Sequence, residues 1–378
     1  MFGCETALPR AVSSVGRSLP GAKEGKGRRP LRLSPPHDNR KAGDMMKKPT
    51  QAQSNPFENS DSNKRYYTYE YYLRKTFGGK CAKIPLDAGM SCPNIDGRCG
   101  TGGCIYCSGR GSGDFACLPE IPLEEQYRRT RETLGKKWST ERCIPYFQAH
   151  TNTYAPVEVL RDLYERALAL PGAVGMNVAT RADCLPAETV RLLDGISRRT
   201  VLTVELGLQT AHNDTARLIR RGHTWEAFVE GYTRLREGAP QAQICVHLIL
   251  GLPGEDGERM MQTVRATAAL RPHQVKLHLL HVLRGTALGE MYLRGEYTPM
   301  TREAYVRAVV GALELLPPDT VIGRLTGDGM GDALLAPDWS RRKVTVINEI
   351  DKLLFAENRW QGRLFGGSDH PFGGCDEK

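Results

Sequence analysis

The feature that most constrains this chain is a regular alternation of short apolar runs with longer amphipathic segments, sustained from about residue 80 to residue 316. The apolar runs fall at 80–86, 143–148, 174–179, 200–208, 243–250 and 274–281. Between them the spacing predicts helices over 122–138, 156–170, 186–196, 214–220, 225–237 and 255–270, with a late helix over 302–316. In 156–170, for example, Val159, Leu160, Leu163 and Ala167 recur at helical spacing. Continuous apolar runs separated by helices are the signature of a parallel sheet buried under its crossover helices. Six such units suit a partial (β/α)6 barrel of the α/β class better than a closed barrel of eight. In barrels of this kind the chemistry gathers on the loops that leave the carboxyl ends of the strands.

The loop after the first run carries the densest chemistry. Its sequence, CPNIDGRCGTGGCIYC, sets Cys92, Cys104 and Cys107 in a C-x11-C-x2-C pattern. Cys104 and Cys107 are close enough in a tight turn to aim both sulfurs at one centre. Cys92 must return from further away, through a loop holding Gly97, Gly100, Gly102 and Gly103. Glycine permits the positive φ and close backbone approach that such wrapping requires. Three thiolates can hold three irons of a [4Fe–4S] cluster and leave the fourth open, whereas clusters that only carry electrons commonly have four protein ligands. The competing readings are ordinary buried thiols or a zinc knuckle, although a Cys4 zinc site usually shows two close pairs and only one is present. Cys99 is a fourth ligand, a substitute for Cys92, or a bystander. We take it, with the flanking Cys81 and Cys117, as a bystander. Tyr106, just before the last cysteine, can pack its ring on a cluster or an adenine.

With these residues in view the chain resembles the radical SAM superfamily, and within it the YhcC-like branch of bacterial proteins. The resemblance runs from about residue 66 to about residue 365. It rests on an ordered series: SCPNIDG with GGCIYC, YFQAHTNTYA, TRADCL, ELGLQTAH with RRGH, HLILGLPGE, KLHLLHVLRGT, and RLTGDG with APDWS. The branch is also similar to the radical SAM domain of the elongator catalytic subunit, a tRNA-modifying protein, and more distantly to oxygen-independent coproporphyrinogen oxidase. The resemblance implies a radical SAM partial barrel. It also implies an enzyme that reductively cleaves S-adenosylmethionine (SAM) at the cluster to a 5′-deoxyadenosyl radical, for hydrogen abstraction from a substrate not legible in the sequence. A low-potential electron donor of the flavodoxin or ferredoxin kind is implied with it.

Several residues take roles from the same resemblance. Gln148, Thr151 and Asn152 follow the second strand, where relatives contact the SAM amino group; plain loop polarity and helix capping are the alternative. Glu205, Gly207 and Gln209 share one side of the fourth strand and are implied to line the SAM pocket. A carboxylate within an apolar strand needs partners. Arg221 matches a position that pairs with the SAM carboxylate, with Arg220 as the competing candidate. Gly251 belongs to the fifth-strand motif, whose backbone near 249–251 faces the adenine. His247 is open between a core and a functional role, and Arg181 with Asp183 between a structural and a substrate contact. Glu255 reads as a helix-start residue favoured by the dipole. His278 and His281, three apart on an ideal strand, face opposite ways and are not read as a metal site.

Composition bounds the remaining possibilities. Of 378 residues 40% are hydrophobic and 25% charged, as in a soluble globular protein, and no run of about 18 apolar residues predicts a membrane span. Eleven scattered cysteines favour a reducing, cytoplasmic setting. The net charge of +9 is uneven: the first 48 residues carry +7, leaving +2 for the other 330. Bulk charge therefore does not imply a polyanion partner for the motif-bearing body. The reading divides the chain into a basic extension over 1–64, expected to be disordered, a radical SAM partial barrel over 65–316, and a C-terminal extension over 317–378 packed on the barrel. Met45 and Met46 offer alternative starts. Beside the radical SAM enzyme stand three other functions: an RNA-modifying member of that class, a non-catalytic RNA-binding protein with a structural cluster, and a zinc-binding interaction protein.

Overall fold

A computed structural model describes residues 55–111, 113, 116–327 and 331–366. The expectation of disorder for the basic extension falls, up to residue 54, outside the described residues. Residues 55–64, placed in that extension by sequence, are tied to the folded body. Asn59 Nδ2 donates to the Pro318 carbonyl at 3.1 Å, and Lys64 pairs with Asp351.

The predicted alternation is present. Helix α1 (Tyr69–Phe77) precedes β1 (Ala82–Leu86), and α2 (Leu123–Gly135), β2 (Cys143–Phe147), α3 (Val157–Leu168) and β3 (Gly175–Thr180) follow. Next come α4 (Ala187–Ser197), β4 (Val201–Gln209), the short α5 (Asn213–Leu218), α6 (Trp225–Gly238), β5 (Gln243–Leu250), α7 (Gly257–Ala269) and β6 (Gln274–Leu279). The C-terminal part adds β7 (Val282–Leu283), α8 (Ala287–Leu293), α9 (Arg302–Leu315), β8 (Val321–Arg324), β9 (Leu334–Ala336) and α10 (Lys343–Ala356).

Seven strands form one sheet in the order β1-β2-β3-β4-β5-β6-β8. All its pairings are parallel. The six predicted strands are its first six. The seventh, β8, is supplied by the segment read as an extension lying on the barrel. Four residues with a glycine among them, VIGR, give too short an apolar run to stand out. The rest of that segment packs outside: β9 pairs antiparallel with β7, and α10 packs on α9.

The two faces of the sheet differ. Ile84, Phe147, Val178, Val204, Val246 and Leu277 point towards the helices and belong to the main apolar core. The alternate positions, among them Tyr146, Glu205, His247, Lys276 and Arg324, line a cavity on the concave side. The strands are thus apolar on one face and polar on the other, not apolar throughout as their runs suggest. Helix α3 shows a similar adjustment: Leu160, Tyr164 and Ala167 are buried, whereas Val159, predicted to face inward, is exposed. Helix α1 packs at the amino ends of the strands. Tyr72 hydroxyl donates to Gln243 Oε1 at 2.7 Å, and the Tyr69 ring lies 5.1 Å from Lys83 Nζ.

Candidate active-site cavity

The concave face and the loops at the carboxyl ends of the strands enclose a cavity of about 290 Å³. Cys92, Cys104 and Cys107 line it; Cys81, Cys99 and Cys117 do not. Cys99 is exposed. Cys117 Sγ lies 3.9 Å from Thr130 Oγ1 on α2, and Cys81 Sγ is 3.8 Å from the Gly79 carbonyl.

Local hydrogen bonds fold the cysteine loop. The Ile95 and Asp96 amides donate to the Cys92 carbonyl at 2.8 and 3.2 Å, and the Cys107 amide to the Cys104 carbonyl at 3.1 Å. The loop is fastened on both sides: the Ile105 amide donates to the Ile219 carbonyl at 3.1 Å, and the Leu288 amide to the Ile105 carbonyl at 2.8 Å. Asn94 Nδ2 donates to the Arg220 carbonyl at 2.5 Å and lies 3.5 Å from Cys104 Sγ. A Cβ on Gly100 or Gly222 would come within 2.6 or 2.8 Å of Asn94 Oδ1, so both positions need glycine for this approach. The Cys104 thiol is pulled down to about 5 by the Cys107 hydrogen bond and, against burial, by Arg221. Cys107, the donor of that bond and half-buried, is pushed well up, first by that bond and then by desolvation. A thiolate with two further thiols at the same rim is a donor set suited to an iron–sulfur cluster.

Above the cysteines two arginines are held in place. Arg181 makes a two-point ion pair with Asp183 at 2.9 and 2.7 Å. It also donates to the Arg221 carbonyl at 2.9 Å and the Gly222 carbonyl at 3.2 Å. Arg221 is buried and donates to the Gly207 carbonyl. Its Nε is buried without a hydrogen-bond partner. A Cβ on Gly207 would meet Gln209 Nε2 at 2.8 Å and an Arg221 nitrogen at 3.0 Å, so both side-chain ends would have to shift. A register shift near the end of β4 and a φ of 78° at Gln209 re-aim that residue, which still lines the cavity.

The floor is organised by Glu205. Its buried carboxylate accepts from Lys83 Nζ at 2.9 Å, Tyr146 hydroxyl at 2.7 Å, Asn177 Nδ2 at 2.7 Å and His247 Nε2 at 2.9 Å. Lys276 Nζ also donates to it. Burial alone would push the carboxyl up, but Lys276, Lys83 and His247 hold it well below the ordinary range. Burial lowers Lys276 to about 8 against the pull of Glu205. Burial and then Lys276 lower His247 to about 4, so its ring is neutral near pH 7. Ligand atoms of Glu205, Cys245 and His247 lie within 4.8 Å of one another. The two ammonium groups on that carboxylate make it a poor metal site.

Of the residues singled out by sequence, Tyr106, Gln148, Thr151, Glu205, Gln209 and Arg221 line the cavity with the three cysteines. Asn152 and Gly251 do not. Asn152 Nδ2 donates to the carbonyls of Phe147, Ala149 and Ala179, so its amide holds the loop together. Gly251 accepts from Tyr297 hydroxyl at 2.7 Å behind the wall, and Ile249 takes the cavity-facing place. Of the two competing arginines, Arg220 is exposed and Arg221 lines the cavity. His247 bonds Glu205 on the concave side. Glu255 accepts from Thr210 Oγ1 at 2.5 Å, and Asp256 caps α7. Reasoning from sequence missed Lys83, Tyr146, Asn177, Lys276 and Arg324. Only Lys276 had a signal of its own, the period-two alternation in VKLHL.

Comparison with known proteins places these features in context. The model of the Radical SAM superfamily matches residues 95–267, and the model of its Radical_SAM C-terminal domain matches 272–355. The chain is 44% identical to the uncharacterized protein YtqA of Bacillus subtilis over 313 residues, 83% of this chain and 97% of that one. It is 33% identical to protein YhcC of Escherichia coli K12 over 301 residues, 78% and 93% of the two chains. Among solved structures, the archaeal Methanocaldococcus infernus Elp3 with an N-terminal deletion superposes with a TM-score of 0.55 at 18% identity, covering 74% of this chain and 64% of that one. The match thus spans less than two thirds of that protein, and the likeness is one of fold.

Proposed function

The chain belongs to the radical SAM superfamily, and from that membership we propose that it binds a [4Fe–4S] cluster through Cys92, Cys104 and Cys107 and cleaves SAM reductively. The observation that carries the reading is the convergence of these three cysteines, out of six in and around the loop, on one cavity. Cluster and SAM together supply a 5′-deoxyadenosyl radical able to take hydrogen from a substrate carbon. The chain's own residues bind and orient. Arg221, with its buried unpartnered Nε, offers a charged donor to the SAM carboxylate. Gln209 and Gln148 offer amides to its other polar atoms, and Tyr106 and Ile249 an apolar surface to the adenine. The half-barrel wall keeps water from the reacting carbon. A low-potential donor of the flavodoxin or ferredoxin kind is the proposed electron source, in a cytoplasmic setting. Among the described residues no helix is long and apolar enough to cross a membrane.

Anaerobic reconstitution tests the reading. The expected result is four irons per chain, a brown chromophore, and 5′-deoxyadenosine with methionine once a strong reductant is added. A loaded chain that yields no 5′-deoxyadenosine would leave a non-catalytic iron–sulfur protein that binds RNA. A chain that takes up zinc and no iron would leave a zinc-binding interaction protein. RNA as substrate is tested separately, by comparing modified nucleosides in a strain lacking the protein with those of its parent.

A further inference from the structure

The floor of the cavity holds more positive charge than its single carboxylate neutralises. Lys83 and Lys276 both donate to Glu205, one negative charge for two positive ones, and no other Asp or Glu lines the cavity among the described residues. Arg324 lies beside Lys276 in the β6–β8 register and lines the same cavity. An ammonium has three donors, and Glu205 takes one from Lys276. His278, two residues along the same strand and the same face, lines the cavity with its Nε2 buried and without a hydrogen-bond partner. Its ring centroid is 5.0 Å from that of His247. Buried positive charge of this kind is costly unless paired.

The rim is electrically different. Arg181 is paired with Asp183, and Arg221 donates to the Gly207 carbonyl. At the floor two ammonium groups share one carboxylate, and the neutral His278 ring beside them presents an Nε2 without a hydrogen-bond partner. Lys276 and His278 sit deeper in the half-barrel than the cysteines, on strand β6 and not on a loop. A group bound there lies across the cavity from a ligand held at the rim.

Resting on the radical SAM reading above, we infer that the substrate carries an anionic oxygen group, a carboxylate or a phosphate, and seats it on Lys276 and His278. The anion completes the charge balance of the Glu205 cluster and accepts from both donors. It fixes one end of the substrate at the floor, so that the carbon to be attacked points up towards the SAM end. Lys276 and His278 are thereby substrate-binding residues. Lys83, Tyr146 and Asn177 are positioning residues that hold Glu205, and through it the Lys276 ammonium.

Equilibrium dialysis of the reconstituted full chain with SAM present tests the assignment, using radiolabelled inorganic phosphate in one arm and radiolabelled acetate in the other at constant chloride. The expected result is saturable uptake of one anion per chain in at least one arm, and the arm that saturates tells phosphate from carboxylate. Lys276→Met and His278→Gln should each raise the dissociation constant about tenfold or more, the usual effect of losing a charge-assisted hydrogen bond. His278→Gln carries the test if Lys276→Met misfolds, because His278 Nε2 gives up no existing partner. No saturable uptake in either arm, or uptake unchanged in the folded variants, overturns the inference. Iron content and 5′-deoxyadenosine measured on the same preparation separate this outcome from failure of the radical SAM reading. Cleavage of SAM without anion uptake sinks only the anion site, and anion uptake without cleavage sinks only the radical reading.

Discussion

Cys92 and Cys99 compete on paper for one role, and their surroundings differ. Cys92 lines the cavity and its carbonyl anchors two amides of the loop, whereas Cys99 is exposed on the outside of the turn. Replacing Cys92, Cys104 or Cys107 by Ala should remove most cluster iron and all SAM cleavage, and Cys99→Ala should keep both. Iron retained in Cys92→Ala but lost in Cys99→Ala would reverse the assignment. Arg221 gives the second test at this scale. Arg221→Ala should keep the brown cluster and weaken SAM binding about ten- to a hundredfold, the range expected for a lost charge-assisted hydrogen bond. Unchanged affinity by anaerobic titration would move SAM away from this arginine. The cysteines were legible in sequence because their spacing is local and their chemistry rare. The floor was not. Glu205 and His247 stood out, but Lys83, Tyr146, Asn177 and Lys276, from four other strands, did not, and only the sheet register brings the six together.

At the scale of elements, strands and helices were legible because apolar runs and helical spacing are local signals. What escaped was the difference between the two faces of the sheet, and β8, whose place is set by pairing with β6 and by the Tyr67 carbonyl accepting from the Ile322 amide at 2.8 Å. One helix contact links packing to the site. Gly231 on α6 lies against the 3-10 turn at Ala182–Cys184, and a Cβ there would meet the Ala182 carbonyl oxygen at 2.1 Å. Backbone cannot swing aside as a side chain can, so the helix or the turn must shift. Gly231→Ala should destabilise the chain by about 1–3 kcal/mol, as overpacking generally does. It should appear as a lower urea midpoint with an unchanged slope. The displaced turn begins one residue after Arg181, which holds the Arg221 and Gly222 carbonyls, so SAM affinity should fall as well. A midpoint equal to that of the parent would mean that the contact relaxes freely.

At the scale of the whole molecule, the titratable groups in and beside the cavity make stability depend on pH with a definite sign. His247 is lowered to about 4 by burial and then Lys276, and His223 to about 3 by burial and then Arg221. Both rings are neutral in the folded chain and titrate near 6.5 when unfolded. Between about pH 6.5 and pH 4 the unfolded chain therefore binds more protons than the folded one, and stability falls as pH falls. Each histidine contributes a slope of up to about 1.4 kcal/mol per pH unit across that window. Glu205 adds the same sign lower down: its folded value is depressed, so the stability it contributes is present above the ordinary carboxylate range and lost as pH drops through the folded value. Lys276 acts on the alkaline side. Its folded value of about 8 lies below 10.5, so the penalty for keeping it charged in the fold is relieved as pH rises from about 8 to 10.5. Urea unfolding of the iron-free full chain should thus give a lower midpoint at pH 5 than at pH 7. His247→Gln should flatten the difference without abolishing it, since His223 remains. A midpoint independent of pH between 5 and 7 would show that these rings are hydrated in the folded chain and that the floor beneath the cavity is open to water.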